Sequence, residues 1–341
     1  MKKDSTMTAK TWPESSLPEM LAPYRGSQAR VLEWKDDRGQ NLGNHGDALM
    51  LHCFWEALPR LGLSTGASVP DLLIVPPNGA LLDRYSAPNL LQRRLATQPD
   101  VPLVIFPSSA WFESSDPASM FGERRAPSLW VLREQRSFEH LHDRWGASLK
   151  RAGVTLALDH DMVVSGREDI SRLLRPHQVP MTERSPLVVS RLGAEAQDMT
   201  QDHASRDAPA WRRAAVRAYS RIPHETLKIG VRRRVVRKDQ QAANERMIAG
   251  LPANVRERVS LTRASWYDIS DPTLCDWNSF VRALGRSSLV VTNRLHVALP
   301  STILGAETYL VDSGYHKLRG VYERSLGNVE NIRLIRKGDC E

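Results

Sequence analysis

A chain of 341 residues, 41% hydrophobic and 25% charged, has apolar material for two globular cores. That excludes a disulfide-stapled mini-domain and a disordered chain, and the absence of any run of ~18 apolar residues excludes a bundle of membrane-spanning helices. The formal net charge of +8 points to anionic partners without choosing among phosphorylated metabolites, acidic lipid surfaces and nucleic acid.

Residues 1–20 are polar, are interrupted by Pro13 and Pro18, and lack the apolar stretch of a signal peptide. Residues 1–27 therefore read as a loose N-terminal arm on a cytoplasmic protein. Cys53, Cys275 and Cys340 lie far apart, and none belongs to a CxxC or a His/Cys cluster of zinc spacing, so no structural metal is expected.

From there, short β-branched runs alternate with longer amphipathic stretches, the pattern of parallel strands covered by helices. In the first half the predicted strands are 29–33, 71–75, 102–106, 129–132 and 154–158. Helices are expected after Gly46, near Leu81, near Glu134 and near Arg167. In the second half strands are expected at 187–190, 259–261, 288–292 and 309–312. Pro176, Pro180 and Pro186 mark a boundary between a domain at 28–180 and a second at 181–341 that closes on a C-terminal helix. Two doubly wound Rossmann-like domains place strand ends, and hence ligands, across a cleft.

Two strand-end segments carry chemistry. Asn41-Leu42-Gly43-Asn44-His45-Gly46-Asp47 opens an apolar helix, where glycines allow close backbone approach and free N–H groups attract an anion; Asn, Gly and Asp are also ordinary turn and cap residues. Val290-Val291-Thr292-Asn293-Arg294-Leu295-His296 runs from a buried strand into a helix. Arg294 can clamp a carboxylate or phosphate, and His296 can exchange a proton near neutral pH.

Gly43-Asn44-His45-Gly46-Asp47 of the first segment and the whole of the second, followed by Val311-Asp312-Ser313-Gly314-Tyr315-His316-Lys317-Leu318, resemble the signatures of the polysaccharide pyruvyltransferase family. Between them, Pro107-Ser108-Ser109, Arg133-Glu134 with Ser137, Asp159, and Arg191 with Glu195 resemble the family's internal landmarks, so the likeness spans 28–325. Where many members carry a Gly-Gly pair, this chain has Pro76-Pro77-Asn78-Gly79.

The resemblance implies two facing domains like those of GT-B glycosyltransferases. It also implies transfer of the pyruvyl group of phosphoenolpyruvate to a sugar of a bacterial exopolysaccharide or its lipid-linked precursor, with no further cofactor and no metal. Carried over residue by residue, it makes Arg294 the phosphate or carboxylate ligand and His296 the acid/base group, either protonating the methylene carbon or accepting a hydroxyl proton. Asn44, Gly46, Asp47, Ser108, Arg191 and Lys317 become substrate-binding residues, with Asp47 orienting a sugar hydroxyl or merely capping its helix. His45 and His160 are reserve acid/base candidates.

The stretch 211–238 concentrates basic residues, among them Arg232, Arg233 and Arg234, with Trp211 and Tyr219 interleaved. Such a run is ordinarily a solvated helix face; with the interleaved aromatics it also suits docking on the anionic inner leaflet, where a lipid-linked acceptor would wait. The competing reading is a nucleotide-sugar glycosyltransferase on the same fold. A nucleic-acid-binding protein ranks behind both, because no RRM, KH, zinc-finger or helix-turn-helix pattern occurs.

Overall fold

The computed structural model describes residues 12–34, 43–122, 124–191, 225–312, 314 and 316–336. The first sheet has seven strands, all paired in parallel: β1 (Gln28–Val31), β2 (Ser64–Thr65), β3 (Leu72–Val75), β4 (Asn78–Leu82), β5 (Leu103–Trp111), β6 (Ser128–Leu132) and β7 (Val154–Leu158). Their order is β2-β1-β3-β5-β6-β7, with β4 also paired to β5. A second sheet, again parallel, has the order β11-β10-β9-β8, from β8 (Ser185–Val189), β9 (Ser287–Thr292), β10 (Glu307–Val311) and β11 (Ile332–Ile335).

The helices used below are α1 (Leu17–Met20), α2 (His45–Arg60), α3 (Ala87–Leu95), α4 (Gln135–Arg151), α5 (Met162–Ser165), α6 (Arg167–Leu174), α7 (Glu225–Ala249), α8 (Ala253–Arg256), α9 (Trp277–Gly285), α10 (Leu295–Ile303) and α11 (His316–Val321). Strand periodicity sorts the apolar side chains into layers. On β3, Leu72 and Ile74 face a core they share with Leu49, Cys53 and Phe54 of α2 and with Leu187, Val189, Val290 and Leu310 of the second sheet. Leu73 and Val75 face the opposite way, against Leu91 and Leu95 of α3 and Leu141 and Leu149 of α4. The outer face of the second sheet packs Val188, Val291 and Tyr309 on Met247 and Leu251, at and just beyond the end of α7. The two sheets thus share one central core, in which α2, α5, α6 and α10 pack on one another.

Several sequence expectations are revised. Residues 12–27 are docked rather than loose: Leu17 and Leu21 are buried in the central core, and Asp159 holds Ser15 Oγ at 2.6 Å and Ser16 N at 3.1 Å. The segment near Leu81 is strand β4, because the long β5 outruns β3 and leaves Ser108, Ala110 and Trp111 to pair with residues after the Pro76-Pro77 break. The helix begins later, at Ala87. Residues 259–261 form no strand. The β8 edge is met by the 3-10 turn Arg263–Trp266, where Ser265 Oγ accepts from Val188 N at 3.3 Å. The described chain closes on β11 rather than on a helix, since Ile332–Ile335 finds an open parallel edge on β10.

Among the described residues no helix is long and apolar enough to cross a membrane. Glu195, Trp211, Tyr219, Ser313, Tyr315 and Cys340 lie outside the described residues.

Candidate functional site

Strand ends and helix starts from both sheets surround a cleft of about 400 Å³, within the range of small-molecule sites. Its lining includes Asn44 and Asp47 at the start of α2, Gly79 on β4, Arg133 after β6, Arg191 after β8, Asn293, Arg294 and His296 after β9, and Lys317 on α11. Of the eight residues singled out from the sequence as the site, Asn44, Asp47, Arg191, Arg294, His296 and Lys317 line it, and Gly46 abuts His296. Ser108 does not: it is fully buried, accepting from Trp130 Nε1 at 2.9 Å.

The α2 start is a capping box. Asn44 Oδ1 accepts from Gly46 N at 2.7 Å, and Asp47 Oδ2 accepts from Asn44 N at 2.8 Å. Asp47 thus caps its helix and also lines the cleft. Gly43 has φ +137°, and a Cβ there would stand 2.6 Å from Asp47 Oδ2. A Cβ on Gly46 would stand 2.5 Å from His296 Cβ and 2.8 Å from its Nδ1. The glycine gives the imidazole its room.

His296 is the second residue of α10 and carries non-helical dihedrals, φ −86° and ψ 15°. Its Nε2 lies 3.2 and 3.3 Å from the two oxygens of Asp161, a fully buried carboxylate at the N-cap of α5. Asp161 also accepts from Arg133 Nη1 at 2.7 Å and from Val163 N at 2.9 Å. Burial by itself would raise this carboxyl's pKa. The charges of His296 and Arg133, with hydrogen bonds from His296 and Val163, outweigh it and hold the group well below the usual carboxylate range.

Arg133, 4% exposed, donates through Nε to Ser109 Oγ at 2.8 Å. Burial works against its charge, but Asp161, Glu134 and Asp47 more than compensate and raise its pKa. Glu134 is buried beside it, accepting from Ser109 and Ser137, and burial pushes its carboxyl up. A Cβ on Gly79 would lie 3.2 Å from Arg133 Nη2 and 3.6 Å from Lys317 Nζ, while Nζ donates to the Gly79 carbonyl. Gly79 therefore stands between two cations on the cleft wall.

Arg294 donates from Nε at 2.9 Å, and from Nη2, to Asp268, which Ser270 N and Oγ also hold. The expected anion ligand thus has a protein carboxylate across it. Arg191 N donates to Asn293 Oδ1 at 2.7 Å, joining the ends of β8 and β9. The reserve histidines serve the fold. His45 Nε2 meets the Cys275 carbonyl at 2.7 Å, its ring packed against those of Trp277 and Phe280, and His160 Nδ1 meets Ser325 Oγ at 2.8 Å.

Sequence reasoning missed Asp161 and Asp268, the carboxylate partners of the two residues ranked first. For Asp161 a signal existed in Asp159-His160-Asp161 at a strand end, but Asp159 was the residue singled out, and it secures the N-terminal segment instead.

No family model matches the chain, and no curated protein matches it. Among solved structures the chain is similar to a functional uncharacterized protein from Klebsiella pneumoniae subsp. pneumoniae NTUH-K2044, with 15% identity, TM-score 0.48, and coverage of 94% of this chain and 97% of that one.

Proposed function

We propose that this chain transfers the pyruvyl group of phosphoenolpyruvate to a sugar of a bacterial exopolysaccharide or its lipid-linked precursor, forming a ketal and releasing phosphate. The observation that carries the reading is one small cleft in which His296, backed by a buried carboxylate, stands among Arg133, Arg191, Arg294 and Lys317. Phosphoenolpyruvate puts a carboxylate and a phosphate on a three-carbon frame, and clustered guanidinium and ammonium groups suit both. The two sheets, whose strand ends share that cleft, are taken as the counterparts of the two GT-B domains.

The chemistry closes on itself. His296 imidazolium gives a proton to the methylene carbon, and the first sugar hydroxyl adds to C2 and returns a proton to the imidazole. Phosphate then leaves with the C–O bonding pair. The second hydroxyl closes the ketal, and its proton goes to the departing phosphate. Cations at the cleft wall stabilise the anionic donor and the charge that develops on the leaving phosphate.

Of the proposed anionic-leaflet contact, Arg234 and Lys238 on α7 are exposed. Arg233 is engaged within the fold, donating to the Leu274 carbonyl with its guanidinium 3.9 Å from the Tyr267 ring centre, and Arg232 lies 3.8 Å from Asp271. Among the described basic residues of this stretch, Arg234, Arg237 and Lys238 are the exposed ones on which localisation at the inner face of the cytoplasmic membrane would rest.

The test is release of inorganic phosphate from phosphoenolpyruvate with a lipid-linked oligosaccharide fraction from the source cell. Acceptor-dependent release is expected, together with a rise in melting temperature caused by phosphoenolpyruvate. Stabilisation by a UDP- or GDP-sugar instead, with no phosphate released, overturns the reading in favour of a glycosyltransferase.

A further inference from the structure

We propose that Asp161 is the positioning residue for His296: it fixes the ring with Nε2–H toward the buried carboxylate and so makes Nδ1 the nitrogen that exchanges the proton. A carboxylate without its proton can only accept, and the donors around Asp161 are all accounted for in its geometry. Arg133 Nη1 meets Oδ2, Val163 N meets Oδ1, and His296 Nε2 spans both oxygens. The Arg133 guanidinium, which donates to Oδ2 at 2.7 Å, helps keep that carboxyl ionised against its burial. Nε2 must therefore hold a hydrogen, and in the neutral ring Nδ1 is bare.

Nδ1 lies on the Gly46 side, close enough that a Cβ there would stand 2.8 Å from it, and the residue as a whole lines the cleft. The charged groups about the pair include Arg133 after β6, which donates to Asp161, and Asp47 on α2, which accepts from Asn44 N. Asp161 is thus the carboxylate that faces the imidazolium whenever Nδ1 takes a proton, and it stabilises that charge in a low-dielectric setting. The tautomer follows from the contacts of an ionised Asp161, whereas its catalytic consequence rests on the pyruvyl-transfer reading.

The test pairs a spectroscopic and a kinetic measurement on the full chain. Long-range proton–nitrogen spectra of histidine-labelled protein, with His296 assigned by its loss in His296→Asn, report which ring nitrogen carries hydrogen. Wild type is expected to show Nε2–H and bare Nδ1. In Asp161→Asn the new NH₂ must face either Arg133 or Val163, both donors, and in either orientation it also faces Nε2. The amide oxygen faces Nε2 as well, so the preference for Nε2–H is expected to weaken and signal from the Nδ1–H tautomer to appear.

Phosphate release from phosphoenolpyruvate should then fall about a hundredfold in kcat, with KM for phosphoenolpyruvate changed by less than about threefold, and Asp161→Glu should recover part of the loss. A wild-type His296 protonated at Nδ1 with bare Nε2 overturns the proposal even if the Asn variant does not fold. So does an Asp161→Asn protein that keeps Nε2–H and wild-type kcat. Absence of phosphoenolpyruvate turnover in wild type sinks the proposed reaction while leaving the tautomer result intact, so the two failures are told apart.

Discussion

The imidazole of His296 and the backbone of Gly46 are packed so closely that one methyl group decides whether both fit. Gly46→Ala places a Cβ 2.5 Å from His296 Cβ, so the ring must move away from α2. A cost of about 1–3 kcal/mol is expected by chemical denaturation, with a disproportionate loss of activity because the displaced ring no longer meets Asp161. His296→Ala removes the acid/base group outright. Phosphate release should drop by at least ~10²-fold while phosphoenolpyruvate still raises the melting temperature, since the cations remain. Loss of that stabilisation would show that His296 binds the donor rather than moving protons. At this scale the sequence exposed His296 and Arg294 because a strand running straight into a helix leaves few places for such groups. It hid their partners, because Asp161 and Asp268 come from segments 135 and 26 residues away.

Elements carry the next level. Phe54 of α2 meets Phe106 of β5 edge-on at 4.8 Å between ring centres, and both are fully buried. Phe54→Ala should destabilise the fold by about 3–5 kcal/mol, read from the denaturant midpoint, through lost burial and the cavity left behind. A second junction is the stack of His140 on α4, Trp111 on β5 and His316 on α11, with centroid spacings of 3.9 and 4.3 Å. Burial, aided by Lys317, pushes His316 down to about 3 from an ordinary 6.5. Its contribution to stability is therefore complete above pH 6.5. Below that the unfolded chain takes the proton first, and stability falls until about pH 3. In His316→Phe the stability profile between these limits should be flatter; an unchanged slope would remove His316 as its source. The strands were legible where short apolar runs are continuous, as in Leu72–Val75 of β3 and Leu289–Val291 of β9. β4 was not, because its pairing depends on the length by which β5 outruns β3.

For the molecule as a whole, the basic charge is partly spent inside. Arg237 lies 4.1 Å from the Trp266 ring centre and Arg233 stacks on Tyr267, which ties α7 to the turn at the β8 edge. Arg233→Glu should cost about 1–3 kcal/mol of stability. Arg234→Glu combined with Lys238→Glu should leave the melting temperature near wild type and weaken sedimentation with anionic vesicles. Unchanged sedimentation would remove α7 as a membrane contact.

The sequence by itself determined the alternation of parallel strands and helices, the absence of a long apolar span, and a strand-end pair of cationic and titratable residues. Those properties follow from composition and local periodicity. Only the tertiary structure decided that residues 12–27 dock, that Ser108 is buried behind Trp130 while Lys317 reaches Gly79, and that Asp161 rather than Asp159 faces His296. Two carboxylates spaced two apart carry the same local information. Which of them meets an imidazole is set by the packing of α5 and α10 in the shared core.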